Sequence, residues 1–237
     1  MTDIVTEKVT LSVADGTAMA AYVARPRGGQ KRPGLLVIQE AFGVNAHIRD
    51  VTERFARQGY VAISPEMFHR TAPGFECPYG ALDKALAEMQ AMTETGMEQD
   101  LKAAHDWLKN QPDVQAGKIG GIGYCMGGRA AFLANATLPL QAAVSYYGGG
   151  IAPGLLGRAG ALHGPMLLYW GGLDKYILPE HHRAVADALT QAGKPFVNVE
   201  FAHADHGFFC DDRPVYHPDA AAQSWALTLA FFRSTLG

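Results

Sequence analysis

A chain of 237 residues, 48% hydrophobic and 18% charged, has the length and composition of one large globular α/β domain and not of a disordered segment. Its formal net charge of −3, with Lys and Arg scattered, leaves no basic stripe for nucleic acid. No apolar run reaches the ~18 residues of a membrane helix, the N-terminus carries acids in place of a signal-peptide core, and three widely spaced cysteines suit a reducing compartment. These features lead us to expect a single-domain cytoplasmic protein, residues 1–237, without a nucleic-acid, membrane or obligatory protein partner.

In chain order, Lys8 to Val13 and Thr17 to Ala24 alternate around the turn Asp15-Gly16 and predict an N-terminal antiparallel hairpin. The continuous apolar run Gly34 to Ile38 then predicts a strand buried on both faces, followed by a helix over His47 to Gln58 and a strand over Tyr60 to Ser64 that Pro65 stops. A loop rich in Pro, Gly and aromatics lies between Glu66 and Gly80 and reads as a cap over a pocket. Helices are expected over Ala81 to Met92 and Glu98 to Lys109, and a strand over Ile119 to Ile122. Beyond residue 129 come strands at Ala142 to Tyr147, Met166 to Trp170 and Val197 to Phe201, a helix over Pro179 to Gln191, and a terminal helix over Asp219 to Arg233. Strands alternating with helices imply a mostly parallel central sheet covered by helices on both faces.

Gly123-Tyr-Cys-Met-Gly127 sits between the strand ending at Ile122 and the helix-like Arg129 to Ala134. A nucleophile at the apex of so tight a turn takes a strained backbone, and glycines two positions to either side let strand and helix pass closely. Cys125 would be that nucleophile. The plainer reading is also open, since a lone cysteine commonly serves as buried filler.

A cysteine nucleophile needs a base, and the base needs a group to fix its tautomer. His206 follows the last apolar strand, where side chains reach the catalytic edge of an open α/β sheet, and His203 is its rival. His203, Asp205 and His206 could alternatively hold a metal, but no matching Cys or His group accompanies them, and we expect none. Gly171-Gly-Leu-Asp174 follows another strand and tips Asp174 toward the same edge. The order Cys125, Asp174, His206 is the nucleophile, acid, histidine order of α/β hydrolases. Glu40, at the end of a buried strand, is costly there unless partnered, so it serves either the next helix or the site.

Together, Gln39-Glu-Ala-Phe-Gly-Val-Asn45, Gly123-Tyr-Cys-Met-Gly-Gly128, Gly171-Gly-Leu-Asp174 and His206-Gly-Phe208 resemble the dienelactone hydrolase family, the carboxymethylenebutenolidases, from about Val9 onward. The resemblance implies an α/β-hydrolase fold, no cofactor, and hydrolysis of a lactone or related activated ester through an acyl-cysteine. It implies that Cys125 is the nucleophile, His206 the base, Asp174 its orienting acid, and Glu40 the carboxylate that exchanges contact with the thiol when substrate arrives. A carboxylate there would keep the free enzyme's sulfur a thiol. The oxyanion hole would be the main-chain N–H of Ala41 and Met126.

The departures concern the substrate. In the best-known family members arginines anchor a substrate carboxylate, one between the cap loop and the helices and one four residues after the catalytic histidine; here the latter position is Cys210, and no arginine lies between Arg70 and Arg129. Arg70 and Arg213 remain candidates, and Phe42, Tyr147 and Phe208 are candidate pocket residues that would favour a neutral or larger apolar acyl group. A thioesterase or broad carboxylesterase with the same residues is the enzymatic alternative. A non-catalytic protein whose Cys125 binds a ligand or senses oxidants is the alternative of another class.

Overall fold

A computed structural model describes residues 2–237 and divides the chain, between Gly120 and Gly121, into two compact units. In the first, β1 (Ile4–Ser12) and β2 (Ala18–Pro26) form the expected hairpin, Ile4 opposite Pro26 and Ser12 opposite Ala18. Its turn closes where the Asp15 carboxylate accepts from the Thr17 N–H and hydroxyl. β3 (Arg32–Ile38) is the buried apolar run and pairs in parallel with β4 (Val61–Pro65), which pairs antiparallel with β2. Strand β5 (Val114–Tyr124) crosses the boundary in sequence, and the first unit's order is β1-β2-β4-β3-β5.

Helix α1 (Ala46–Arg57) starts where Asn45 Oδ1 accepts the Ile48 N–H, 3.1 Å away, satisfying one donor of the first turn. Two further helices follow, α2 (Leu82–Ala91) and α3 (Glu94–Lys109). α3 begins four residues before the sequence pattern suggests, because Thr93 Oγ1 caps the Gly96 N–H. It buries Met97, Leu101, Ala104 and Leu108, spaced three and four apart.

The second unit carries the rest of β5, then α4 (Met126–Thr137), β6 (Ala142–Tyr146), β7 (Met166–Gly171), α5 (Pro179–Gln191), β8 (Phe196–Phe201) and α6 (Pro218–Leu236). A 3-10 turn occupies residues 156–161. β6 pairs with β7 and β7 with β8, all in parallel, in the order β5-β6-β7-β8. β6 and β7 are buried throughout, in keeping with sequences that are apolar but for Ser145 in β6, whereas the edge strand β8 mixes half-buried and exposed positions. Ten of α4's twelve residues are buried, so small and apolar side chains surround it. α6 is tied to the strands by Tyr146 Oη, 2.9 Å from Thr228 Oγ1, and by Tyr169 Oη, which donates to the Ser224 carbonyl. Among the described residues no helix is long and apolar enough to cross a membrane.

Candidate active site

Cys125 caps α4 with φ +55° and ψ −118°, a conformation that L-residues rarely adopt. Its surroundings explain the glycines. A Cβ on Gly123 would lie 1.8 Å from the Gly127 carbonyl oxygen, and one on Gly128 would meet the Tyr146 carbonyl and the Gly148 Cα at 2.8 Å. The Cys125 N–H donates to the Tyr146 carbonyl, and the Cys125 carbonyl accepts from Gly128, so both main-chain groups are fixed. Met126 is the first residue of α4, where an N–H has no intrahelical acceptor and faces the positive end of the helix dipole. Cys125 is half-buried, while Cys77 and Cys210 are buried, and burial pushes the Cys77 thiol up.

His206 Nδ1 lies 2.7 Å from Asp174 Oδ2. The approach depends on the glycines after β7: a Cβ on Gly171 would meet the Ala204 carbonyl oxygen at 2.6 Å, and one on Gly172 the Ala202 Cα at 2.7 Å. With both absent, residues 171–174 lie along residues 201–205, held by Gly172 N–H to Phe201 carbonyl and Leu173 N–H to Ala204 carbonyl bonds. Asp174 Oδ1 accepts the N–H groups of Tyr176 and Ile177 at 2.8 and 3.0 Å. Both carboxylate oxygens therefore have donors. Burial raises the Asp174 carboxyl, but these bonds and the imidazole outweigh it and hold the group below its ordinary value.

Burial disfavours a charged His206. The charge of the Cys125 sulfur, a hydrogen bond to that sulfur and the Asp174 carboxylate act against it and push His206 up to about 10. One ring thus joins the Cys125 sulfur and the Asp174 carboxylate. His203, the rival base, is exposed. Among the described residues no three His, Cys, Asp or Glu gather as a metal would require.

Two tyrosines flank the His206 ring, Tyr147 at 5.0 Å and Tyr176 at 5.5 Å between centroids. Tyr147 is fully buried with φ +38°, and its N–H donates to the Tyr169 carbonyl, which holds the strained turn after β6. Phe208 is also fully buried, edge-on to Tyr147. Both are therefore walls behind the histidine. Arg213 is half-buried, and its guanidinium lies against Gly207: a Cβ there would sit 1.9 Å from Nη1. Gly207, at φ +88°, has two reasons to be glycine.

In the first unit, Glu40 is fully buried just past β3. The neighbouring Gln39 fixes this segment, its amide donating to the Glu40 carbonyl and its oxygen accepting the Met67 N–H. Ala41 and Phe42 form a small buried cluster with Cys77 and Ala85, and Phe42 meets Tyr79 edge-on at 4.7 Å. The loop read as a cap packs here. A Gly43–Glu76 bridge and the Arg49–Glu76 ion pair pin it to residues 42–49. Arg70 is committed: Nη1 and Nη2 donate to the fully buried Asp100 carboxylate at 2.8 Å each, and Nε donates to Asp15 at 2.7 Å. Sequence spacing does not reveal these partners, 30 and 55 residues away, nor the contact of Tyr176 with His206.

The sequence profile of the Dienelactone hydrolase family matches residues 19–236. A provisionally named carboxymethylenebutenolidase of Synechocystis sp. is 35% identical, covering 99% of this chain and 98% of its own. One from Azospirillum brasilense is 33% identical over the whole of both. Among solved structures, a provisionally assigned dienelactone hydrolase from Klebsiella pneumoniae superposes with a TM-score of 0.89 at 29% identity, over 98% of this chain and 99% of that one. A dienelactone hydrolase-like promiscuous phosphotriesterase from metagenomic libraries gives 0.85 at 25% identity, over 98% and 99%.

Proposed function

Because the chain belongs to the dienelactone hydrolase family, we propose that it opens a lactone or related activated ester through an acyl-cysteine on Cys125. The observation that carries this reading is the His206 ring, hydrogen-bonded to the Cys125 sulfur on one side and 2.7 Å from Asp174 on the other. The thiolate attacks the carbonyl carbon, forming the C–S bond while the carbonyl electron pair moves to oxygen. The main-chain N–H of Met126, at the head of α4, receives that oxyanion; losing such a donor typically costs ~100- to 1000-fold in rate. Collapse breaks the C–O bond, and His206 gives its proton to the departing enolate or alkoxide. His206 then takes a proton from water, the hydroxyl attacks the thioester, and the Cys125 thiolate leaves. Asp174 holds the imidazole in orientation and stabilises its charged form.

A thiolate suits esters whose leaving group is already good, and an enol lactone supplies one. The experiment is a hydrolysis panel of a carboxylated dienelactone, a p-nitrophenyl ester, an acyl thioester and a phosphotriester, with mass spectrometry of the quenched enzyme. Turnover of the lactone with a transient acyl adduct on the Cys125 peptide is expected. Faster turnover of the acyl thioester would make the protein a thioesterase, and preference for the phosphotriester would align it with its metagenomic neighbour. No turnover, with Cys125 reversibly oxidised by peroxide, would favour a sensor.

A further inference from the structure

Of the two rings that flank His206, one has no packing reason to be aromatic. Tyr147 is fully buried, whereas Tyr176 is 69% exposed. A large ring left in water usually contributes little, yet Tyr176 is held in place: its main-chain N–H donates to Asp174 Oδ1, 2.8 Å away, and its ring meets His206 edge-on at 78°. Its loop, between β7 and α5, also exposes Leu173 at 54% and Leu178 at 41%. Three large apolar side chains in six residues of this loop stay in solvent, and the ring of one of them, Tyr176, meets His206.

We infer that Tyr176 is a specificity-determining residue that stacks on the apolar part of the substrate's leaving group. The inference rests on the reading of His206 as the proton donor. In acyl transfer the sulfur keeps the acyl group, the oxyanion donors hold the carbonyl oxygen, and the imidazole faces the oxygen that departs. A ring touching that imidazole therefore borders the leaving group and not the acyl chain. Because the ring is open to solvent, a bulky group meets no wall there. The favoured substrates are then esters or enol lactones whose departing oxygen is attached to a flat or extended apolar group.

The test compares 2-naphthyl acetate with vinyl acetate, which share an acyl group and differ in the apolar area of an activated leaving group. In Tyr176→Ala the ratio of kcat/KM, naphthyl over vinyl, should fall about tenfold through KM, the size of one aromatic contact with its buried area, and Tyr176→Phe should keep it. Intrinsic reactivity cancels when variant and parent ratios are compared. An unchanged ratio, or an equal loss for both esters that Phe restores, would overturn the inference, the latter by making the ring a support for His206. Failure of the underlying reading looks different: His206→Ala would then retain hydrolysis of both esters.

Discussion

The Nε2 atom of His182 lies 3.1 Å from the carbonyl oxygen of Ile177, whose own N–H donates to the Asp174 carboxylate. The other ring nitrogen lies 3.2 Å from Glu200 Oε2, and the ring stacks on Trp170 with centroids 4.6 Å apart. Both nitrogens thus face acceptors, and the imidazole braces the turn that presents Asp174. Substituting the brace should loosen that turn without touching substrate.

In His182→Ala we expect a loss of roughly 1–3 kcal/mol in stability, from the lost stack and the unpaired Ile177 carbonyl. We also expect about a tenfold fall in kcat with KM little changed, since the affected group acts on the transition state. Steady-state kinetics and urea melts measure both. A stability loss with kcat intact would make His182 a packing residue only.

Cys125, His206 and Asp174 should behave as a unit, because one imidazole touches both partners. Cys125→Ala and His206→Ala should each abolish turnover, and combining them should add nothing. His203→Ala, at an exposed position, should stay within about twofold of the parent. Circular dichroism must show the folds intact; an equal loss in His203→Ala would reassign the base.

How much of this was legible in the sequence follows from the range of the forces involved. The elbow could be read because its constraint is local: Gly123 sits two residues from Cys125, and a Cβ there would strike the Gly127 carbonyl within the same turn. Asp174 and His206 could be read because each follows an apolar strand. Strand order could not, since nothing local in β4 states that it pairs with both β2 and β3. Nor could the fate of Arg70, decided by Asp100 on a helix 30 residues on. β5 begins at Val114, five residues before its apolar stretch, because pairing carries a strand through polar residues that periodicity scores as loop.

The raised His206 has a pH signature. An unfolded imidazole keeps its proton only below about 6.5, while the folded one keeps it to about 10. Folding takes up a proton between these values, so the stabilisation is complete below 6.5 and is lost as pH climbs toward 10. Asp174 acts oppositely: its lowered carboxyl stabilises above the usual range and loses that as acid protonates it. Melting temperature should therefore decline from pH 7 to pH 10 more steeply in the parent than in Cys125→Ala, which lacks the sulfur that holds the proton. Parallel melting curves would show that the Cys125 sulfur does not hold the proton on His206.

The last prediction concerns what anchors the substrate. Sequence alone, with Cys210 four residues after His206, favours a neutral acyl group, and of the two candidate arginines Arg70 is already engaged by three carboxylate hydrogen bonds. Arg70→Met should cost roughly 3 kcal/mol of stability, because it strands the buried Asp100 carboxylate, and should leave substrate preference alone. Arg213 is differently placed. Its guanidinium lies against the backbone of Gly207, the residue after His206, so a cation stands beside the histidine although the chain position that usually supplies it is a cysteine. A charge-assisted hydrogen bond contributes about 1.5–3 kcal/mol, or roughly ten- to a hundredfold in affinity. A carboxylated dienelactone should therefore be preferred over its methyl ester by about that factor, and Arg213→Ala should erase the preference through KM. Gly207→Ala, which drives a methyl into Nη1 and forces φ +88° on an L-residue, should erase it too and lower kcat by moving His206. If the parent makes no distinction between acid and ester, or if Arg213→Ala weakens both alike, the anchor is absent and the apolar reading of the substrate stands.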